Sequence, residues 1–166
     1  MGFSLSVFNL LYIFTFCAII DCMIELWTDG STEPNPGPGG YAVLEVVNDT
    51  AAPVALGKES HTTNIRMEGY ALRDAMKYAQ EHNDSVEIHT DSEFWVNVLT
   101  KWAPTWAKNS WTKRSGPIKN LQLVQELYKL YNTTDTTLIW IRGHAGTEYN
   151  ELADHWANEA RKGATL

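Results

Sequence analysis

From Met23 onward this chain of 166 residues has no cysteine, since both of its thiols, Cys17 and Cys22, fall in the first 22 residues. That lack excludes a disulfide framework and a thiolate zinc site in the body of the protein, and a reducing cytoplasm is the expected compartment. Basic residues are missing from the start of the chain, where none precedes Lys58. The one long apolar run, Phe3 to Ile20, approaches the length of a bilayer-spanning helix but lacks the positive flank of a secretory signal and the charge bias that orients a span. Residues 1–22 therefore read as an apolar extension, either a membrane anchor or sequence upstream of a true start at Met23, and residues 23–166 as the domain. Its opening Met1-Gly2-Phe3-Ser4-Leu5-Ser6 fits the myristoylation pattern poorly, because a bulky Phe follows the glycine. Acids, finally, are absent between Phe94 and Gln125, while Lys101, Lys108, Lys113, Arg114 and Lys119 lie there. The net charge of −7 argues against a polyanionic partner, but those five cations leave 8 of the 13 basic residues against all 20 acids, so the block is a local basic patch on an otherwise acidic chain.

With 44% hydrophobic residues, the chain supports one sizeable core and is too short for two comfortable ones. Ile24 to Thr28 alternates as a half-buried strand, and Asp29-Gly30-Ser31 breaks it. Thr32 to Gly40, with three prolines and three glycines, predicts a loop of fixed shape. Tyr41–Val47 and Val54–Glu59 predict a hairpin turning at Asn48-Asp49. The stripe Ile65, Leu72, Ala75, Met76 and Ala79 predicts a helix over 65–81. Ser85 to Thr90 reads as another strand, with Ser92 as the cap of a following helix. Helical signals then break at Pro104 and at Ser115-Gly116-Pro117, resume over Ile118–Tyr131, and close at Glu148–Arg161, after a short strand over Thr136–Ile141. This order of elements predicts an α/β fold, a mixed sheet with helices on its faces, whose ligands gather at strand ends.

Four acids occupy distinctive places in that pattern. Asp29 and Asp91 stand where predicted strands end, Glu68 lies inside an apolar helix stripe, and Asp154 lies on a helix flank beside Asn150. A carboxylate on a buried stripe is costly to desolvate unless it meets a cation. A helix-start role for Glu68 would turn it to solvent, against the stripe, whereas Asp91 alone would read as a capping residue and Asp154 as a surface acid. Taken together, four carboxylates with no Cys or His among them suit Mg²⁺, or Mn²⁺ in its place, and the chemistry such ions serve best is phosphodiester cleavage.

The contexts of these acids run in order: Asp29-Gly30-Ser31, Asn35-Pro36-Gly37-Pro38-Gly39-Gly40-Tyr41, Thr63-Asn64-Ile65-Arg66-Met67-Glu68, Thr90-Asp91-Ser92, Gly143-His144-Ala145-Gly146 and Asn150-Glu151-Leu152-Ala153-Asp154. Any one is weak, but six in register resemble the ribonuclease H type 1 family, from about Ile24 to the end of the chain. Members usually begin where Met23 stands, which favours Met23 as the initiator.

The resemblance implies a five-stranded mixed sheet in the order 3-2-1-4-5 and an endonuclease that cuts the RNA strand of RNA/DNA hybrids, leaving 3′-hydroxyl and 5′-phosphate ends. It implies two Mg²⁺ ions with substrate: Asp29 bridging both, Glu68 and Asp91 completing one side, Asp154 holding the ion nearer the attacking water, and His144 assisting proton transfer or product release. It also places Gly30, Asn35, Asn64 and Glu68 against the sugar-phosphate backbone and 2′-OH groups of the RNA. Glu93 stands where relatives often carry Gln, and a carboxylate accepts a hydrogen bond but cannot donate one. Trp102, Lys108, Trp111 and Lys113, in the acid-free block with Trp106, resemble the basic protrusion that grips the DNA strand, though the tryptophans also read as the protrusion's own small core. The expected partner is the hybrid duplex alone, bound by a monomer with no obligate protein partner. Two other classes compete, a strand-transfer or junction-cutting nuclease with the same acids, and a non-catalytic hybrid-binding module, which would usually have lost a carboxylate.

Overall fold

The computed structural model describes residues 23–82 and 85–166, so the readings of residues 1–22 lie outside it. Five strands, β1 (Ile24–Thr32), β2 (Gly37–Val47), β3 (Thr50–Thr62), β4 (Val86–Thr90) and β5 (Thr136–Trp140), form one sheet in the order β3-β2-β1-β4-β5. The β1–β2 and β2–β3 pairs are antiparallel, and β1–β4 and β4–β5 are parallel. This is the mixed sheet and strand order that the motifs implied.

Successive residues of a strand face opposite sides, and the sheet divides the apolar residues accordingly. On one face Leu26, Val43 and Ile88 pack under Leu72, Ala75, Met76 and Ala79 of α1 (Asn64–His82), together with Trp95, Leu99 and Leu127 from the later helices. On the other face Trp27 and Leu44 pack against Ala153 of α5 (Glu148–Lys162). The buried side of α5 is lined by Ala153, Ala157 and Ala160, so this helix lies close to the sheet. At Gly40 of β2, a Cβ would collide with the backbone nitrogen of Arg161 and the carbonyl oxygen of Ala157.

The hairpin turns at Asn48 (φ 50°) and Asp49 (φ 59°), two left-handed residues in succession that match the right-handed twist of the strands they join. An L-residue costs roughly 1–2 kcal/mol in that region, and a glycine costs roughly 0.5–1 kcal/mol in lost freedom. Asp49→Gly is therefore expected to stabilise the protein by about 0.5 kcal/mol. Urea unfolding checks this, and a decrease in stability would contradict the turn geometry.

The structure corrects several expectations. β1 does not stop before Asp29: only its parallel ladder with β4 ends at Thr28–Thr90, while its antiparallel ladder with β2 continues to Thr32. The expected loop over Thr32–Gly40 shrinks because β2 begins at Gly37. Pro104 does not interrupt the helical path, since it sits at the start of α3 (Ala103–Lys108), where its missing N–H is tolerated. A π-helical turn over Val98–Trp102 joins α3 to α2 (Glu93–Asn97). The next helix, α4 (Leu121–Thr133), starts after Ile118 because Asn120 adopts φ 54°. Ile65, assigned to the buried stripe, is 39% exposed in the first turn of α1, where it lines an open pocket beside Phe94 and Trp102.

Candidate active site

Beyond Thr28–Thr90 the strands β1 and β4 are no longer hydrogen-bonded to each other, and the next residue of each is an acid, Asp29 and Asp91. Asp29 stays in register opposite Ala42 of β2, is only 8% exposed, and accepts a 2.7 Å hydrogen bond at Oδ1 from the Gly30 N–H. At Gly30 a Cβ would lie 2.6 Å from the carbonyl carbon of Met67, so α1 presses onto β1 here. That close approach carries Glu68, four residues after the start of α1, to the end of the sheet. The Ser92 hydroxyl, expected to cap α2, instead donates to Glu68 Oε2.

Asp91 is held from two sides. The Asn150 Nδ2 of α5 donates to its Oδ2 at 3.4 Å, and the Trp140 Nε1 donates to its carbonyl oxygen at 3.3 Å. One helical turn after Asn150, Asp154 accepts from Asn158 Nδ2 at Oδ1 (3.2 Å) and at its carbonyl (2.9 Å). His144 stands in the loop between β5 and α5 with φ 53°.

These side chains surround one cavity of about 190 Å³, lined by Asp29, Gly30, Ser31, Thr32, Asn64, Glu68, Asp91, His144 and Asp154. Burial pushes the Asp29 carboxyl well above its ordinary range, and Asp91, Asp154 and Glu68 push it further, against the pull of the Gly30 N–H. Glu68 is also raised, by burial first and by Asp91, while the Ser92 hydrogen bond opposes the rise. None of the four acids takes part in an ion pair among the described residues. Their mutual repulsion and all-oxygen donor set fit hard divalent cations. No three acid, imidazole or thiol side chains among the described residues stand ready-made at cation-holding distance.

The remaining expected site residues fall in different places. Asn35 is exposed beside the cavity, where its Oδ1 accepts a 3.4 Å hydrogen bond from the Asn64 N–H. Glu93 is exposed in the first turn of α2. Trp102, 40% exposed, and Lys113 line a separate, largely apolar pocket of about 360 Å³ with Ile65, Phe94, Trp106 and Ile118. Lys108 is exposed at the end of α3, and neither it nor Trp111 lines that pocket. Trp111 packs edge-on against Tyr128 of α4 and against the main core, so its area belongs to that core and not to a separate one within the protrusion. Sequence reasoning assigned no role to Asn150, only 3% exposed, or to Asn158. A polar residue at the buried position one turn before Asp154 was the available signal.

A 3-2-1-4-5 mixed sheet, with acids from β1, α1, the end of β4 and α5 brought to one polar cavity, defines an α/β protein of the ribonuclease H-like fold. The family model described as RNase H matches residues 22–162. Ribonuclease H from Gluconobacter oxydans (strain 621H) is 36% identical over 140 residues, covering 84% of this chain and 92% of that protein. Ribonuclease HI from Rickettsia prowazekii (strain Madrid E) is 37% identical over 146 residues, covering 87% and 95%. Among solved structures, LC9-RNase H1, described as a type 1 RNase H with the type 2 active-site motif, superposes with a TM-score of 0.72 at 31% identity, over 86% of this chain and 74% of that one. The chain belongs to the RNase H family and is an enzyme of that family. No helix among the described residues is long and apolar enough to cross a membrane.

Proposed function

We propose that this protein hydrolyses the RNA strand of RNA/DNA hybrids, leaving 3′-hydroxyl and 5′-phosphate ends, and that Asp29, Glu68, Asp91 and Asp154 hold the divalent cations the reaction needs. The observation that carries this reading is the meeting of four carboxylates from four different elements at one polar cavity. When bound there, two Mg²⁺ ions, with Mn²⁺ as a substitute, would supply an activated water and offset the charge developing on the departing 3′ oxygen. The chain's own contribution is placement: the buried Asp29 provides the fixed centre, and Glu68 and Asp91 flank it from α1 and β4. His144, on its exposed loop, exchanges protons at the rim, as an imidazole can near neutrality. Gly30, Asn64 and Asn35 sit beside the acids and receive the RNA backbone and its 2′-OH groups, with Glu93 at the edge of that surface. Trp102, Lys113 and Lys108, on the acid-free protrusion, take the DNA strand by apolar contact and charge. The protein acts as a monomer in the cytoplasm, with the hybrid as its partner.

Labelled RNA/DNA, RNA/RNA and DNA/DNA duplexes incubated with Mg²⁺ test the reading. Only the RNA of the hybrid is expected to be cut. Comparable cutting of either homoduplex would move the protein to another nuclease class, and retention of the hybrid without cutting would make it a binding module.

A further inference from the structure

We propose that Asn158 is a positioning residue that selects which carboxylate oxygen of Asp154 faces the cavity, an inference that rests on Asp154 being a cation ligand. Asn158 lies one turn after Asp154 on α5, half-buried, at the centre of a directed hydrogen-bond chain. Its Oδ1 accepts from the Ser31 hydroxyl at 2.7 Å and from Arg161 Nη2 at 3.2 Å. Its Nδ2 donates to Asp154 Oδ1 at 3.2 Å and to the Asp154 carbonyl at 2.9 Å. Arg161 is in turn held by Glu33, 3.2 Å from the same Nη2.

The direction of this chain cannot reverse. A guanidinium only donates and an ionised carboxylate only accepts, so the amide between them must show its oxygen to Arg161 and its NH₂ to Asp154. Asp154 Oδ1 thereby spends one lone pair on an N–H, and Oδ2, which accepts no side-chain hydrogen bond among the described residues, is the freer oxygen for the cavity. Ser31 ties the arrangement to β1 two residues beyond Asp29, so the orientation of Asp154 is set relative to the strand that carries the most buried acid. A neutral amide does this without adding a positive charge that would compete with the cation.

The test follows Mg²⁺ titrations of the substrate-free protein through backbone amide chemical shifts, with the thermal midpoint recorded for each variant. Residues that orient cation ligands typically contribute 10–100-fold to affinity, and Asn158→Ala is expected to weaken Mg²⁺ binding about tenfold. In an Asp154→Asn background the same substitution should weaken it no further. Arg161→Gln, which leaves Asn158 in place and removes one donor to its Oδ1, should act in the same direction by a smaller factor and also lose its effect beside Asp154→Asn. In hybrid cleavage Asn158→Ala should lower kcat and leave KM unchanged. An Asn158→Ala protein that binds Mg²⁺ as the wild type does, or that loses affinity equally in both backgrounds, overturns the proposal. If Asn158→Ala does not fold, Arg161→Gln decides by the same comparison. Should Asp154→Asn itself leave Mg²⁺ binding intact, the assignment of Asp154 as a ligand has failed; a weakened Asp154→Asn beside an unaffected Asn158→Ala rejects the positioning role alone.

Discussion

Asp29→Asn is expected to leave the protein more stable and far slower to cut. The amide keeps the shape of the carboxylate and its contact with the Gly30 N–H is readily rearranged, but it carries no charge for a cation. Cleavage of the hybrid should fall by about 100- to 1,000-fold, the scale on which loss of one preorganised charge-stabilising group is felt. Stability should move the other way. Burial and the neighbouring Asp91 raise the Asp29 carboxyl, so the folded protein keeps this proton to a higher pH than the unfolded chain does. The contribution is most favourable at low pH and falls as pH rises from about 4, the ordinary carboxylate value, through the raised folded-state value. Asn removes that loss, so at pH 7 and without divalent ions the thermal midpoint should rise, by about 2–4 °C for each kcal/mol recovered in a domain of this size. Glu68, shifted in the same direction, should keep part of the pH slope. Calorimetric melts from pH 4 to 8, beside a cleavage assay, measure both effects. A variant that cuts normally, or melts lower at pH 7, rejects Asp29 as the strained centre of the site.

Gly40→Ala should cost more stability than an ordinary added methyl. Overpacking a core typically costs about 1–3 kcal/mol, and the atoms a Cβ would strike here are backbone of α5, which cannot swing aside like a side chain. A loss at the top of that range corresponds to a fall of roughly 6–12 °C in the melting midpoint. The damage should also reach the cavity, because the helix pushed from β2 carries Asn150, Asp154 and Asn158. Hybrid cleavage well below the new midpoint should therefore drop even though every site residue is retained. Melting within a degree of the wild type would show that α5 is not clamped at this point.

What could be read before folding was whatever local spacing determines. The Asn48-Asp49 turn, the α1 stripe from Leu72 to Ala79 and the ordered motifs around the four acids are short-range patterns, and the structure places those acids together. What escaped depends on partners distant in the chain. Gly30 and Gly37 suggested broken strands, yet both belong to strands, and Gly30 is small because α1 lies on it. Ser92 resembled a helix cap until Glu68, 24 residues earlier, claimed its hydroxyl. Pro104 resembled a break because proline at the start of a helix and proline ending one look alike in sequence. The bond from Ser31 to Asn158 spans 127 positions, and no periodicity signals such a pairing.

Three of the acids lie toward the α5 side of the sheet, and Glu68 comes around its end from the α1 side. An ion shared among them would therefore act as a removable rivet between the two layers. Saturation at a hundred times the dissociation constant would add about 2.7 kcal/mol to the free energy of unfolding, so the working enzyme would be sturdier in the cell's magnesium than in a chelating buffer.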